Sequence, residues 1–179
     1  MQSDAMPDSR LQGVSGEASS LAGTMGLGKL IVLYDDNLIT IDGETDMSFT
    51  EDVCKRYEAY GWHTQTVNNG DDADLSNMRA AVAAAQAVTD KPSIIKIRTV
   101  IGYGAKKQGT AGVHGAPLGD EDIAKVKGDF GLNPEAKFEV PAEVASYFNE
   151  RKIAGTVTSN LFWSSSPHVS APHRPTHAA

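Results

Sequence analysis

Two places in this chain could do chemistry. The first is Asp35-Asp36-Asn37, inside LIVLYDDNLITIDG (residues 30–43). Two carboxylates and a carboxamide at the end of an apolar, β-branched run are hard oxygen ligands. They suit Mg²⁺ or Ca²⁺, and an Asn supplies its oxygen without adding charge. In open α/β sheets such groups lie outside the carboxyl ends of the strands, where ligands bind. A polar turn after a strand uses the same residues, and spacing alone favours that plainer reading. The second is His114 in Gly-Val-His-Gly-Ala-Pro. An imidazole among small residues can approach a ligand and act on a proton or a phosphate; a surface histidine is an equal reading. Lys106-Lys107 read better as solvated lysines than as phosphate ligands. His168, His173 and His177 are too irregularly spaced for zinc. Trp62 and Tyr103 read as packing groups rather than stacking platforms.

Those residues need elements to position them. Residues 1–13 show no hydrophobic period. Val14–Met25 reads as a helix with Ala18, Leu21, Ala22 and Met25 on one face, and its small residues permit close packing. Gly26 and Gly28 stop it. Leu30–Tyr34 reads as a strand buried on both faces. Ser48 and Glu51 have capping-box spacing, and Val53, Tyr57 and Tyr60 continue a helix to Gly61. His63–Val67 is a second strand. Asp72–Val88 is an Ala-rich helix, and Ser93–Val100 a third strand. Ile101–Leu118 has five glycines and no period, a loop length that is usually functional. Helices follow over Asp120–Lys127 and Pro141–Lys152, the second opening on its proline. The pattern fails from about Ala154, and residues 155–179 read as a disordered tail. Helices alternating with strands predict a parallel α/β layer.

Composition narrows the class. At 179 residues the chain suits one domain, and its net charge of −7 is dispersed without a basic stripe, which argues against nucleic acid. No apolar run reaches the ~20 residues that span a bilayer, which argues against a membrane protein. Cys54 is the only cysteine. It reads as a buried, inert thiol, and the mild inference is an intracellular compartment, taken here as the cytoplasm. A generic nucleotide-binding domain lacks support, because no glycine-rich phosphate loop sits at a strand-to-helix turn.

In combination, five segments resemble one family: GEASSLAG (16–23), YDDNLITIDG (34–43), SFTEDVCKRYEAYGW (48–62), KPSIIKIRTVIGYGAKKQGTAGVHGAPL (91–118) and FGLNPEAKFEVP (130–141). The chain resembles the N-terminal, pyrophosphate-binding domain of transketolases over 14–154. The resemblance implies a three-layer α/β/α fold with a parallel sheet, a partial thiamine-diphosphate-binding fold. It implies thiamine diphosphate and a divalent metal, Mg²⁺ or Ca²⁺, as cofactors. The implied reaction is transfer of a two-carbon ketol unit from a ketose phosphate to an aldose phosphate in the pentose phosphate pathway, by a homodimer.

Residue by residue, Asn37 matches a side-chain metal ligand and Ile39 a residue whose carbonyl binds the metal. Ile41 matches an apolar residue near the cofactor's thiazolium ring. His114 matches the active-site histidine near diphosphate and substrate. Glu17 matches a glutamate that couples the two active sites. Asp8 is the candidate for the remaining metal ligand, although Pro7 and Ser9 stand where the family has glycines, and the Glu expected after Gln12 is missing. The second domain, with the Glu that acts on the aminopyrimidine, and the third lie outside the match. The isolated chain is therefore expected to be inactive, with exposed apolar sheet edges that favour association. The alternative is a truncated, non-catalytic fragment acting at most as a binding or dimerisation module.

Overall fold

The computed structural model describes residues 13–165. They fall into two compact units, one up to Pro134 and one from Glu135. The first unit holds helix α1 (Gly13–Thr24), strand β1 (Ile31–Asp36), helix α2 (Val53–Ala59), strand β2 (His63–Val67), helix α3 (Ser76–Ala87), strand β3 (Ser93–Arg98) and helix α4 (Asp120–Asp129). The second holds helix α5 (Ala142–Ser165).

The three strands form a parallel sheet in the order β1-β3-β2. The chain passes over one strand position from β1 to β2 and then steps back to β3. Right-handed crossovers running in opposite directions send their helices to opposite faces. The two cores follow that rule. On one face Val67, Ile95 and Ile97 pack with Ala81 and Ala85 of α3. On the other Ile94 packs with Ala22 of α1, Val53 of α2 and Trp62. The central strand β3 is sealed on both sides, with Ile94 2% and Ile95 0% exposed. This is the α/β sheet with helices on both faces that the sequence predicts, and Trp62 is a packing group.

The close approaches rest on small residues. A Cβ on Gly23 of α1 would lie 1.8 Å from the Tyr60 carbonyl oxygen. Trp62 Nε1 donates to the Ser19 carbonyl at 2.8 Å across the same contact. β1 is an outer strand of the sheet, and its Leu33, which shares a face with Ile31, is 56% exposed because α3 covers β2 and β3 instead.

Several boundaries differ from the sequence reading, each for a physical reason. β1 runs on through both aspartates, because Asp36 pairs in register with Arg98. α2 starts at Val53 rather than at the Ser48–Glu51 box, since Asp52 is its N-cap and accepts from the Lys55 backbone N–H at 3.2 Å. α3 starts at Ser76, four residues late. Asp71 is occupied in accepting from the Val100 N–H at 2.6 Å, and Asp74 instead accepts from the Ser76 N–H at 2.9 Å. Cys54 is half-buried rather than buried, with Sγ 3.8 Å from Thr66 Oγ1. α5 carries the chain through 155–165, part of the segment read as a tail. Gly155 is the only strong helix breaker there, and one interior glycine costs about 1 kcal/mol against alanine, which a helix tolerates. The rest of that tail, and the irregular segment 1–12 with Asp8, lie outside the described residues.

Candidate functional site

Because all strands run the same way, the ends of β1 and β3 meet at one edge of the sheet. Alternation along β1 then divides the acidic cluster between two faces. Asp36 turns to the α2 face and is 6% exposed. It accepts from Tyr34 Oη at 3.1 Å and from Arg98 Nη2 at 3.0 Å, with Lys96 Nζ at 4.0 Å. A carboxylate spent on a paired guanidinium and a phenol holds the sheet together. Asp35 and Asn37 lie two apart. Asp35 accepts from the Thr99 hydroxyl on one oxygen and from Asn37 Nδ2, at 3.2 Å, on the other.

Beyond Asn37 the chain turns sharply. Leu38 has φ +64°, a left-handed conformation that costs a non-glycine residue roughly 1–3 kcal/mol. The turn starts a short hairpin. The Thr45 N–H donates to the Leu38 carbonyl at 2.9 Å and the Thr40 N–H to the Gly43 carbonyl at 2.7 Å. Those bonds flank the antiparallel bridge between Ile39 and Glu44. In such a pair the two facing residues point their own N–H and C=O groups away from each other. The Ile39 N–H is therefore turned outward, where it donates to Asn37 Oδ1 at 2.9 Å. The Ile39 carbonyl leaves the hairpin on that same side. Asn37 and Ile39 border one open depression with Leu38, Glu44, Thr45, Asp46 and Gly109 of the glycine-rich loop.

The glycine-rich loop is ordered by local bonds rather than by a hydrophobic period. The Gly109 N–H donates to the Ile101 carbonyl at 2.8 Å, and the Thr110 hydroxyl accepts from the Gly112 N–H at 3.2 Å. Gly102 has φ +65°, and a Cβ there would meet Val113 Cγ2 at 2.8 Å. His114 follows a single helical turn, its N–H donating to the Ala111 carbonyl at 3.0 Å. Its Nδ1 is buried and has no hydrogen-bond partner among the described residues. Lys106 and Lys107 are exposed.

The structure thus brings Asn37, Ile39 and Gly109 to one depression. His114 is not among the residues bordering it. Ile41 lies near the hairpin tip, 61% exposed. Glu17 lies on an exposed position of α1. Sequence reasoning missed Gly109, Asp35 in its contact with Asn37, and Thr99. The i, i+2 spacing of Asp35 and Asn37 in a strand places both on one side, and that signal was available.

The donor set decides what this edge could hold. Among the described residues no group of three or more His, Cys, Asp or Glu is arranged to hold a metal. Two neutral oxygens, Asn37 Oδ1 and the Ile39 carbonyl, are hard donors but too few for a divalent cation. They fit a cation that arrives with anionic oxygens of its own, as Mg²⁺ does with a diphosphate. A thiamine diphosphate with its metal fits that description.

Comparisons with known proteins identify the family and the fold. The family described as "Transketolase, thiamine diphosphate binding domain" matches residues 5–179. Transketolase 1 of Saccharomyces cerevisiae is 49% identical over 152 residues, covering 85% of this chain and 22% of that protein. The crystal structure of a transketolase from Pichia stipitis in complex with sedoheptulose 7-phosphate superposes with a TM-score of 0.73 at 47% identity, over 85% of this chain and 22% of that one. Transketolase from Leishmania mexicana superposes with a TM-score of 0.76 at 45% identity, over 86% of this chain and 23% of that one. The chain therefore spans less than a quarter of the length of these relatives. No described helix is long and apolar enough to cross a membrane. By its sequence and by its sheet, this chain belongs to the transketolase thiamine-diphosphate-binding domain family.

Proposed function

We propose that this chain supplies the metal and diphosphate half of a transketolase site. The observation that carries the reading is the pair of oxygens, Asn37 Oδ1 and the Ile39 carbonyl, on one side of the hairpin at the end of β1. Asn37 and Ile39 would hold Mg²⁺ or Ca²⁺ against the diphosphate, with Asp8 as a further carboxylate ligand. The bound thiamine diphosphate supplies the carbon–carbon bond chemistry. The protein's part is to hold and orient it. Gly109 lets the loop backbone approach the diphosphate without a side chain between them. Ile41 offers an apolar surface to the thiazolium ring. The Nδ1 of His114, without a partner among the described residues, is suited to exchange a hydrogen bond or a proton with a phosphate or sugar oxygen.

In a complete enzyme the reaction is transfer of a two-carbon ketol unit between sugar phosphates, in the pentose phosphate pathway of the cytoplasm. The P. stipitis relative, solved with sedoheptulose 7-phosphate, supports substrates of that class. Glu17, exposed on α1, would face a second subunit of a homodimer. The 22% share of the relatives' length favours a second reading, in which the chain alone is a non-catalytic binding or dimerisation module.

One titration separates the readings. The purified chain is titrated with thiamine diphosphate and Mg²⁺ while heat and melting temperature are followed. Saturable binding that Asn37→Ala abolishes supports the site. No binding at millimolar cofactor defeats the cofactor reading for this chain. Binding without ketol transfer from xylulose 5-phosphate identifies the module.

A further inference from the structure

The Asn37 amide is held at both ends. Its Nδ2 donates to Asp35 Oδ2 at 3.2 Å, and its Oδ1 accepts from the Ile39 N–H at 2.9 Å. A carboxylate only accepts and a backbone N–H only donates, so the amide has one admissible orientation. Asp35 is held in its turn. Its other oxygen takes the hydroxyl of Thr99, the first residue after β3. The chain of contacts Thr99–Asp35–Asn37 ties the ends of two neighbouring strands to one amide oxygen.

Asp35 differs from its neighbour in what it does. Asp36 is consumed by Arg98, Lys96 and Tyr34. Asp35 has no ion pair among the described residues and spends both oxygens on Thr99 and Asn37. A carboxylate behind an amide N–H also polarises the amide, which raises electron density on Oδ1.

We propose that Asp35, pinned by Thr99, is a positioning residue that fixes the direction of the Asn37 amide and so sets the affinity of the edge for a diphosphate-borne divalent cation. The proposal rests on the reading of Asn37 as a cation ligand given above. An asparagine at 35 would break the constraint. Its amide can present either an acceptor or a donor to Asn37, and it carries no charge to polarise it.

The test uses the full chain, ¹⁵N-labelled, with Asp35→Asn and Thr99→Val as variants. Two quantities are read: the water-exchange rate of the Asn37 side-chain amide protons without cofactor, and the Kd of Mn²⁺ in inorganic pyrophosphate, followed by proton relaxation of water. In the parent chain the amide should exchange slowly. In Asp35→Asn its exchange should accelerate at least about tenfold and the Mn²⁺ Kd should rise about 10- to 100-fold, the usual cost of losing a residue that orients a ligand. Backbone amide shifts of β1 and β3 should stay near those of the parent, which a merely structural role would not allow. If Asp35→Asn does not fold, Thr99→Val carries both measurements, with the same signs and smaller size. Unchanged amide exchange overturns the proposal, as does an unchanged Kd. A parent chain that binds no Mn²⁺–pyrophosphate overturns the affinity claim together with the cation reading, while the exchange rates still decide the orientation claim separately.

Discussion

Replacing Asp36 by asparagine should cost stability while sparing the neighbouring site. The side chain is 9% exposed, and its two oxygens meet Tyr34 Oη and Arg98 Nη2, with Lys96 at 4.0 Å. Breaking one partner of a fully buried ion pair costs about 3–5 kcal/mol. Arg98 is 40% exposed, so water recovers part of that. Its Nη1 is already buried without a partner among the described residues. An asparagine keeps the shape and can accept one of the two bonds. The expected loss is therefore about 1.5–2 kcal/mol, intermediate between an exposed pair and a buried one. The assay is urea unfolding in a Trp163→Phe background, so that Trp62, packed on the same face of the sheet, reports alone. Arg98→Met and the double variant complete a cycle, with a coupling of about 1 kcal/mol or more between the two positions. A loss under about 0.5 kcal/mol, or a coupling near zero, would show that the pair does not hold β1 to β3. A cation affinity that falls as far as in Asn37→Ala would show that the two aspartates are not divided between structure and site.

Three further outcomes are expected. Gly23→Ala should destabilise by about 1–3 kcal/mol in the same unfolding assay, because its Cβ must displace the Tyr60 carbonyl from 1.8 Å. Leu33→Lys, on the exposed face of the outer strand, should weaken concentration-dependent association in sedimentation velocity without changing cation affinity. Asp74 is held below the ordinary carboxylate range by the Ser76 backbone N–H and then by its hydroxyl. A depressed folded-state value adds stability above the unfolded value, near pH 4, which is lost as the pH falls through the folded one. The melting temperatures of the parent and Asp74→Ala should therefore differ at pH 7 and converge as the pH falls below the ordinary carboxylate range.

The strands and their order of appearance were legible because β-branched runs such as Ser93–Val100 sit between amphipathic helices. The family was legible from colinear motifs. The division of labour between Asp35 and Asp36 was not. It depends on which face of β1 meets Arg98, and that partner comes from a strand more than sixty residues later, through a register that local pattern cannot supply. The capping error at Ser48 has a different origin. Asp52 and Ser48 both satisfy local rules, and only the turn at Thr45–Met47, whose Thr45 carbonyl takes the Ser48 and Phe49 N–H groups, decides between them. At the other end, α5 runs past the expected boundary because loss of amphipathic pattern is not loss of helix. No proline removes a backbone bond between Ala142 and Ser165, Gly155 keeps its N–H, and the next proline is Pro167.

The left-handed residue at Leu38 also limits how the sheet can grow. A pleated ladder needs extended backbone on both sides, and a residue at φ +64° cannot join one. Any strand that adds to the outer edge of β1 must therefore stop near Asp36, after six residues of pairing. It cannot run on over the hairpin or slide along it. One unfavourable dihedral angle thus ends the ladder of whatever pairs with that edge, and keeps the oxygens of Asn37 and Ile39 outside it.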